Sequence, residues 1–97
     1  MIRVLLVNIR MSEYFVYILI SQKDGNLYVG CSTDFKKRLL RHNRGLVPST
    51  KSRKPFDVLY VERYSDKGEA FQRERFLKSL WSARFKHKLK EDYWAKP

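Results

Sequence analysis

From Tyr14 to Ile20 the chain reads Tyr-Phe-Val-Tyr-Ile-Leu-Ile, apolar throughout and rich in β-branched and aromatic side chains. Such a run predicts a strand covered on both faces. Asp24-Gly25 then supplies the residues that a tight turn at positive φ requires, and Leu27 to Cys31 resumes the strand pattern, which predicts a β-hairpin. Ser32-Thr33-Asp34 offers an N-cap and a first-turn acid, and Phe35, Leu39 and Leu40 recur at helical spacing up to a stop at Gly45. Residues 46–55 hold two prolines, two serines and Thr50 with no period, and read as a loop.

Phe56 to Tyr64 predicts a third strand, with Val58, Tyr60 and Glu62 on one face and Leu59, Val61 and Arg63 on the other. Asp66-x-x-Glu69 has the form of a capping box and opens a helix through Ala70, Phe71, Phe76 and Leu77. A last, basic helix is expected over about Ser82 to Leu89, closing against the core with Trp81, Phe85 and Leu89. The order β-β-α-β-α-α predicts an α+β fold: a small three-stranded antiparallel sheet flanked by helices. Met11-Ser12-Glu13 looks like a second translation start, so residues 1–11 read as an N-terminal extension or an extra edge strand through Val4 to Ile9, and residues 12–97 as the domain.

Composition narrows the function. A chain of 97 residues fits one domain, and 43% hydrophobic with 14% aromatic content supports a packed core. The 21 Lys and Arg against 10 Asp and Glu, a net charge of +11, therefore decorate a folded surface and do not signal disorder. A polyanion is the expected partner, either nucleic acid or an anionic membrane. The membrane reading is weakened, because no apolar run approaches the roughly 20 residues of a spanning helix. The short run Val4-Leu5-Leu6-Val7 is also a poor signal peptide. A single cysteine, Cys31, and two distant histidines exclude an internal disulfide and leave no zinc set. A cytoplasmic chain is expected, and a metal, where one binds, is expected to be a hard cation held by oxygen.

The charge is concentrated: residues 35–56 hold eight Lys or Arg and no acid, a single-sign surface suited to phosphate contact. Within it Arg38 and His42 lie four apart on one helix face. Glu74 has Ala70, Leu77 and Trp81 at i−4, i+3 and i+7, which places a carboxylate on an apolar stripe. There it is either a metal ligand or a partner of Lys78 at i+4. Tyr17 and Tyr28 lie in the hairpin strands, where tyrosines are ordinarily core residues, and Gly30 marks a bulge or a close backbone approach.

These positions fall in one order. Val16-Tyr17-Ile18 followed by Tyr28-Val29-Gly30 resembles the paired GIY and YIG signatures of the GIY-YIG nucleases. The stretches Arg38-Leu39-x-x-His42-Asn43-x-Gly45 and Arg73-Glu74-x-x-Leu77-Lys78 are similar to the small, single-domain bacterial subgroup. The resemblance covers roughly residues 14–80. An asparagine that some restriction-type members carry on the helix after the glutamate has no counterpart around Arg84 to Lys88.

The resemblance implies an endonuclease that hydrolyses DNA phosphodiester bonds with one divalent metal, Mg²⁺ or Mn²⁺, held by Glu74. It implies that Tyr17 orients or deprotonates the attacking water with His42 as proton acceptor, that Tyr28 bonds the water or phosphate, and that Arg38 stabilises transition-state charge. Lys37, Arg41, Arg44, Lys51, Arg53 and Lys54 are then expected on the backbone of branched or duplex DNA, with structure-selective or weakly sequence-selective cutting near the nucleoid, in repair or recombination. The alternative is a nucleic-acid-binding module that kept the fold and lost turnover. Chemistry adds a demand: at pH 7 an unperturbed tyrosine is phenolate about one part in a thousand, an offset of roughly 4 kcal/mol. Either the cations lower the Tyr17 pKa, or His42 takes the proton as attack proceeds.

Overall fold

Strand β1 (Tyr14–Ser21) is the centre of the molecule, and the computed structural model, which describes residues 13–96, shows why. It pairs antiparallel with β2 (Leu27–Ser32) on one side and β3 (Phe56–Tyr64) on the other, giving the sheet order β2-β1-β3. Among the described residues three helices, α1 (Phe35–Asn43), α2 (Lys67–Leu77) and α3 (Ala83–Ala95), complete the expected α+β fold. Single 3-10 turns occupy Lys51–Arg53 in the long loop and Leu80–Ser82 between α2 and α3. The extension or edge strand expected over residues 1–11 lies outside the described residues.

Side chains along β1 alternate between two cores. Val16 and Ile18 join Val29, Ala70 and Leu77 under α2 and α3, with Phe85 and Leu89 packed at the border. Tyr17 and Leu19 join Phe56 on the opposite face, packed by Phe35 and Leu39 of α1. From Val16 to Ile20 no residue is more than 1% exposed, as expected of a strand sandwiched between helices. Each such side chain contributes about 1.5–3 kcal/mol through burial.

Local chemistry fixes the ends of these elements. Gly25 supplies φ of +72° in the hairpin loop, and the Asp24 carboxylate accepts from the Asn26 N–H at 2.9 Å. Asp34 caps α1 by accepting from the Lys37 N–H, so it is the cap itself, and the first turn contains no acid. At the other end Gly45 takes φ of +74°, and the N–H groups of Gly45 and Leu46 donate to the carbonyls of His42 and Arg41 at 3.1 and 2.9 Å. This pair of bonds is a Schellman closure, which a Cβ-bearing residue enters only with strain. Asp66 starts α2 by accepting from the Glu69 N–H.

Three expectations change. In β3 the pairing jumps from Ile18↔Tyr60 to Leu19↔Val58, so Leu59 is an extra, bulged residue. The bulge turns both Leu59 and Tyr60 toward the α2/α3 core and leaves Val58 39% exposed, which breaks the expected alternation. Helix α3 runs to Ala95, well past Leu89, and is tied to β3 where the Tyr93 hydroxyl donates to Asp57. Trp81 does not close against the core: α2 ends at Leu77, the chain enters a 3-10 turn, and Trp81 stands 89% exposed. Phe85 and Leu89 alone fill that role.

A polar cluster locks β3 to α2. Glu62 accepts from the Tyr60 and Tyr64 hydroxyls and takes a two-pronged bond from Arg73, with Nε and Nη2 each at 2.9 Å. Burial alone would raise the Glu62 pKa, but the Arg73 and tyrosine bonds prevail and hold it below the usual carboxylate value.

Candidate active site

Tyr17 faces the α1 side of the sheet, opposite Gly30 of β2 in the ladder. A Cβ on Gly30 would overlap the Tyr17 hydroxyl and ring, with Cε1 only 2.9 Å away. Gly30 is therefore a close approach, and it makes the room in which the phenol lies. The ring is 1% exposed, packed against Phe35 at a centroid distance of 5.3 Å and tilted toward Tyr28 at 6.4 Å.

The Tyr17 hydroxyl meets His42 Nε2 at 3.1 Å. His42 lies in the last turn of α1, fully buried, with the Tyr28 ring edge-on at 5.0 Å. Its other nitrogen, Nδ1, lies 2.8 Å from the Thr50 hydroxyl, which is itself fully buried and 3.4 Å from the Val47 carbonyl. Asn43 holds this loop in place, since its amide donates to the Phe56 carbonyl at 3.2 Å and accepts from the Phe56 N–H at 2.7 Å. Helical spacing paired Arg38 with His42 and the family resemblance added Tyr17, while Thr50 read only as a loop residue. A buried loop hydroxyl leaves no periodic signal.

Electrostatics keep both partners neutral. Burial, then the neighbouring Tyr28, raises the Tyr17 pKa well above its ordinary value of 10, and Glu74 adds to the rise; Arg38 pulls it down without prevailing. Burial, and then the Arg38 charge, lowers His42 below its ordinary 6.5. A phenol thus faces an unprotonated imidazole at neutral pH.

Arg38, one turn before His42, is half-buried and forms the shared wall of two depressions. One, of about 410 Å³, includes Lys37 and Arg41. The second, of about 360 Å³, crosses the end of β2 at Cys31 and Ser32 to reach Lys67 and Phe71 of α2. Phe71 also borders a third, of about 340 Å³, with Glu74, Arg75 and Lys78. The result is a groove around the open edge of the sheet, joining the α1 side to the α2 side.

Glu74 stands at the α2 end of this groove. Ala70 and Leu77 are buried beside it as the stripe requires, but Trp81 lies beyond the helix end and is no part of that stripe. The Glu74 carboxylate pairs with Lys78 at 3.2 Å, its side chain 22% exposed. Its charge still reaches the Tyr17 hydroxyl and, behind burial, the Cys31 thiol, raising both. Among the described residues no group of three or more His, Cys, Asp or Glu converges as a metal cage. One hard oxygen donor at a groove rim fits Mg²⁺ or Mn²⁺ that takes its remaining ligands from water and phosphate.

The basic residues divide. Lys37 and Arg41 line the groove beside Arg38, while Arg44, Lys51 and Lys54 are exposed around the Gly45 turn. Arg53 is turned inward instead: its Nε donates to Asp24 at 3.0 Å, and its guanidinium lies over the Phe56 ring at 5.6 Å, tying the loop to the hairpin. Among the described residues no helix is long and apolar enough to cross a membrane.

Comparison with known proteins bears on the fold and the family. The chain is 39% identical over 71 residues to a UPF0213 protein of Staphylococcus saprophyticus, covering 72% of this chain and 85% of that one. It is 40% identical over 70 residues to a UPF0213 protein of Staphylococcus epidermidis, covering 71% and 84%. The solution NMR structure of a UPF0213 protein from Bacillus halodurans superposes with a TM-score of 0.51 at 35% identity, covering 79% of this chain and 81% of that one. Residues 13–88, which hold the whole sheet, the Tyr17–His42 pair and Glu74, match the profile described as the GIY-YIG catalytic domain, and the chain belongs to that family.

Proposed function

We propose that the protein is a divalent-metal-dependent endonuclease acting on DNA phosphodiester bonds. The observation that carries this reading is the buried relay of Tyr17, His42 and Thr50, set one helical turn from Arg38, which lines the groove. Orienting the Thr50 hydroxyl toward the Val47 carbonyl leaves its oxygen to accept from Nδ1–H, so Nε2 is bare and accepts from Tyr17. With the Tyr17 pKa raised, a standing phenolate is scarcer than the one in a thousand of a free tyrosine. The route through a lowered pKa is therefore disfavoured, and proton transfer to His42 during attack is the route the geometry supports. The Tyr17 oxygen takes a proton from the attacking water while its own proton passes to Nε2.

Arg38 would supply positive charge where the phosphorane-like transition state accumulates negative charge, and Tyr28 would bond the water or the phosphate. Glu74 would hold the metal, which supplies Lewis-acid charge at a phosphate oxygen. Lys37, Arg41, Arg44, Lys51 and Lys54 provide contacts to the DNA backbone, which give affinity without sequence choice. Structure-selective or weakly sequence-selective cutting follows, with repair or recombination as the setting.

Branched and linear DNA incubated with Mg²⁺, Mn²⁺ or EDTA tests the reading. Cutting is expected with either metal and not with EDTA, and Glu74→Gln is expected to abolish it while leaving the fold intact. No cutting of any substrate, or Glu74→Gln cutting as fast as wild type, refutes it. A second reading, binding without turnover, is favoured by the Glu74–Lys78 pair, which occupies the carboxylate a metal needs. It predicts salt-sensitive DNA binding and no metal-dependent product.

A further inference from the structure

Between α2 and α3 the chain holds two large apolar side chains in water: Leu80 is 92% exposed and Trp81 89%. The turn that carries them is stiff. The fully buried Ser82 hydroxyl lies 3.0 Å from the Leu77 carbonyl and 2.8 Å from that of Ser79. The Ser79 hydroxyl donates to the Phe76 carbonyl at 2.6 Å, and the Lys86 ammonium donates to Leu77 from α3 at 2.7 Å. The open carbonyls at the end of α2 are thus satisfied by side chains, and the exposure of Trp81 is built in, not a frayed end. A large aromatic fixed in water is the usual mark of a contact surface.

The surroundings identify what it contacts. Residues 75–90 contain six Lys or Arg and no Asp or Glu, a second single-sign stretch besides that of residues 35–56. Arg75, Lys78, Arg84 and Lys88 are exposed around the turn, and Arg75 and Lys78 also line the end of the groove with Glu74. An exposed aromatic on a segment otherwise rich in exposed cations is how a protein holds a nucleic-acid strand with open bases: the cations take phosphates and the ring stacks on a base. A second copy of a chain of net charge +11 is repelled from the same spot.

We propose that Trp81, backed by Leu80, stacks on an unpaired base of DNA whose backbone lies in the groove, so that the protein prefers flapped or gapped DNA to continuous duplex. This rests on the reading of the groove as a DNA site, but not on turnover. Binding of the full chain to a labelled blunt duplex, and to the same duplex carrying a single-stranded flap, can be followed by fluorescence anisotropy in EDTA. Base–aromatic stacking of about 1–3 kcal/mol corresponds to about 5- to 150-fold in affinity. Trp81→Ala is expected to lose that factor on the flapped DNA and to match wild type on the duplex. Trp81→Phe is expected to keep most of the preference, and Trp94→Ala all of it. Equal binding of flapped DNA by wild type and Trp81→Ala, equal losses on both DNAs, or a Trp81-dependent dimer in sedimentation overturns the proposal. Cutting with Mg²⁺ is scored separately. A protein that shows the Trp81-dependent preference but never cuts refutes the nuclease reading and leaves stacking in place. One that cuts, with Trp81→Ala indistinguishable in binding, overturns stacking alone.

Discussion

Thr50→Val removes one hydroxyl from a fully buried position and nearly preserves the side-chain shape. The hydroxyl lies 2.8 Å from His42 Nδ1, so its loss strands a buried ring nitrogen. An unsatisfied buried polar group costs about 1–3 kcal/mol. In a domain of 97 residues each kcal/mol moves Tm by about 4–8 °C, so melting should fall by about 4–24 °C. The chemical effect is separate. Without Thr50 to accept from Nδ1–H, the tautomer with its proton on Nε2 gains about 1 kcal/mol, a population shift of about fivefold. In that tautomer Nε2 donates to Tyr17 and can no longer take its proton. Single-turnover cutting of a labelled branched duplex is therefore expected to slow by up to about fivefold, with Thr50→Ser restoring most of the rate. Nitrogen NMR of His42 reads the tautomer directly. A wild-type ring carrying its proton on Nε2, or a Thr50→Val protein cutting at the wild-type rate, refutes the relay.

The same relay sets a pH dependence: cutting should fall as pH drops through the His42 pKa, below 6.5, and stay level above it with no step from a Tyr17 phenolate near pH 7. An activity that rises tenfold per pH unit from 7 to 9 would point to a standing phenolate instead. Stability carries the matching sign, because the folded His42 pKa lies below the unfolded one: its contribution is complete above about pH 6.5 and is lost as pH falls through the folded value. Removal of this loss by His42→Asn in thermal melts between pH 7 and 5 is the check. Gly30→Ala should cost about 1–3 kcal/mol by overpacking, because its Cβ meets the Tyr17 ring and both lie in paired strands. It should also displace the phenol from Nε2; an unaltered melt with full cutting would show that the pocket has slack.

Much of this architecture was legible because its causes are local. The run from Tyr14 to Ile20 predicted a doubly covered strand, and Asp34, Asp66 and Gly45 cap helices through bonds to residues three to five positions away. Arg38 and His42 share a helix face by i, i+4 spacing, but the strand pattern alone made Tyr17 a core residue, and only the resemblance to the GIY-YIG signatures joined it to them. Features set by distant partners were not. The Leu59 bulge exists only relative to β1, so β3 reads as simple alternation. Arg53 counts as a free cation until Asp24, 29 positions away, is brought beside it. Trp81 follows Leu77 by four residues, which reads as one more core turn. No Gly or Pro marks the break, which is made by the Ser79 and Ser82 hydroxyls.

The alternation along β1 ties folding to chemistry in a further way. Tyr17 faces the relay because Val16 and Ile18 face the other core, and a slip of one residue would exchange the two sets. A slipped strand would bury the phenol beneath α2 and α3 and present a methyl-rich side chain to His42, losing both cores at once. Two features oppose the slip: the space at Gly30 that only the Tyr17 ring fills, and the bulge at Leu59 that resets pairing halfway along the strand. An inserted or deleted residue in β1 would therefore exchange the two faces beyond it unless a bulge, like that at Leu59, absorbed the change. Folding in this register is thus the same event that sets Tyr17 beside His42.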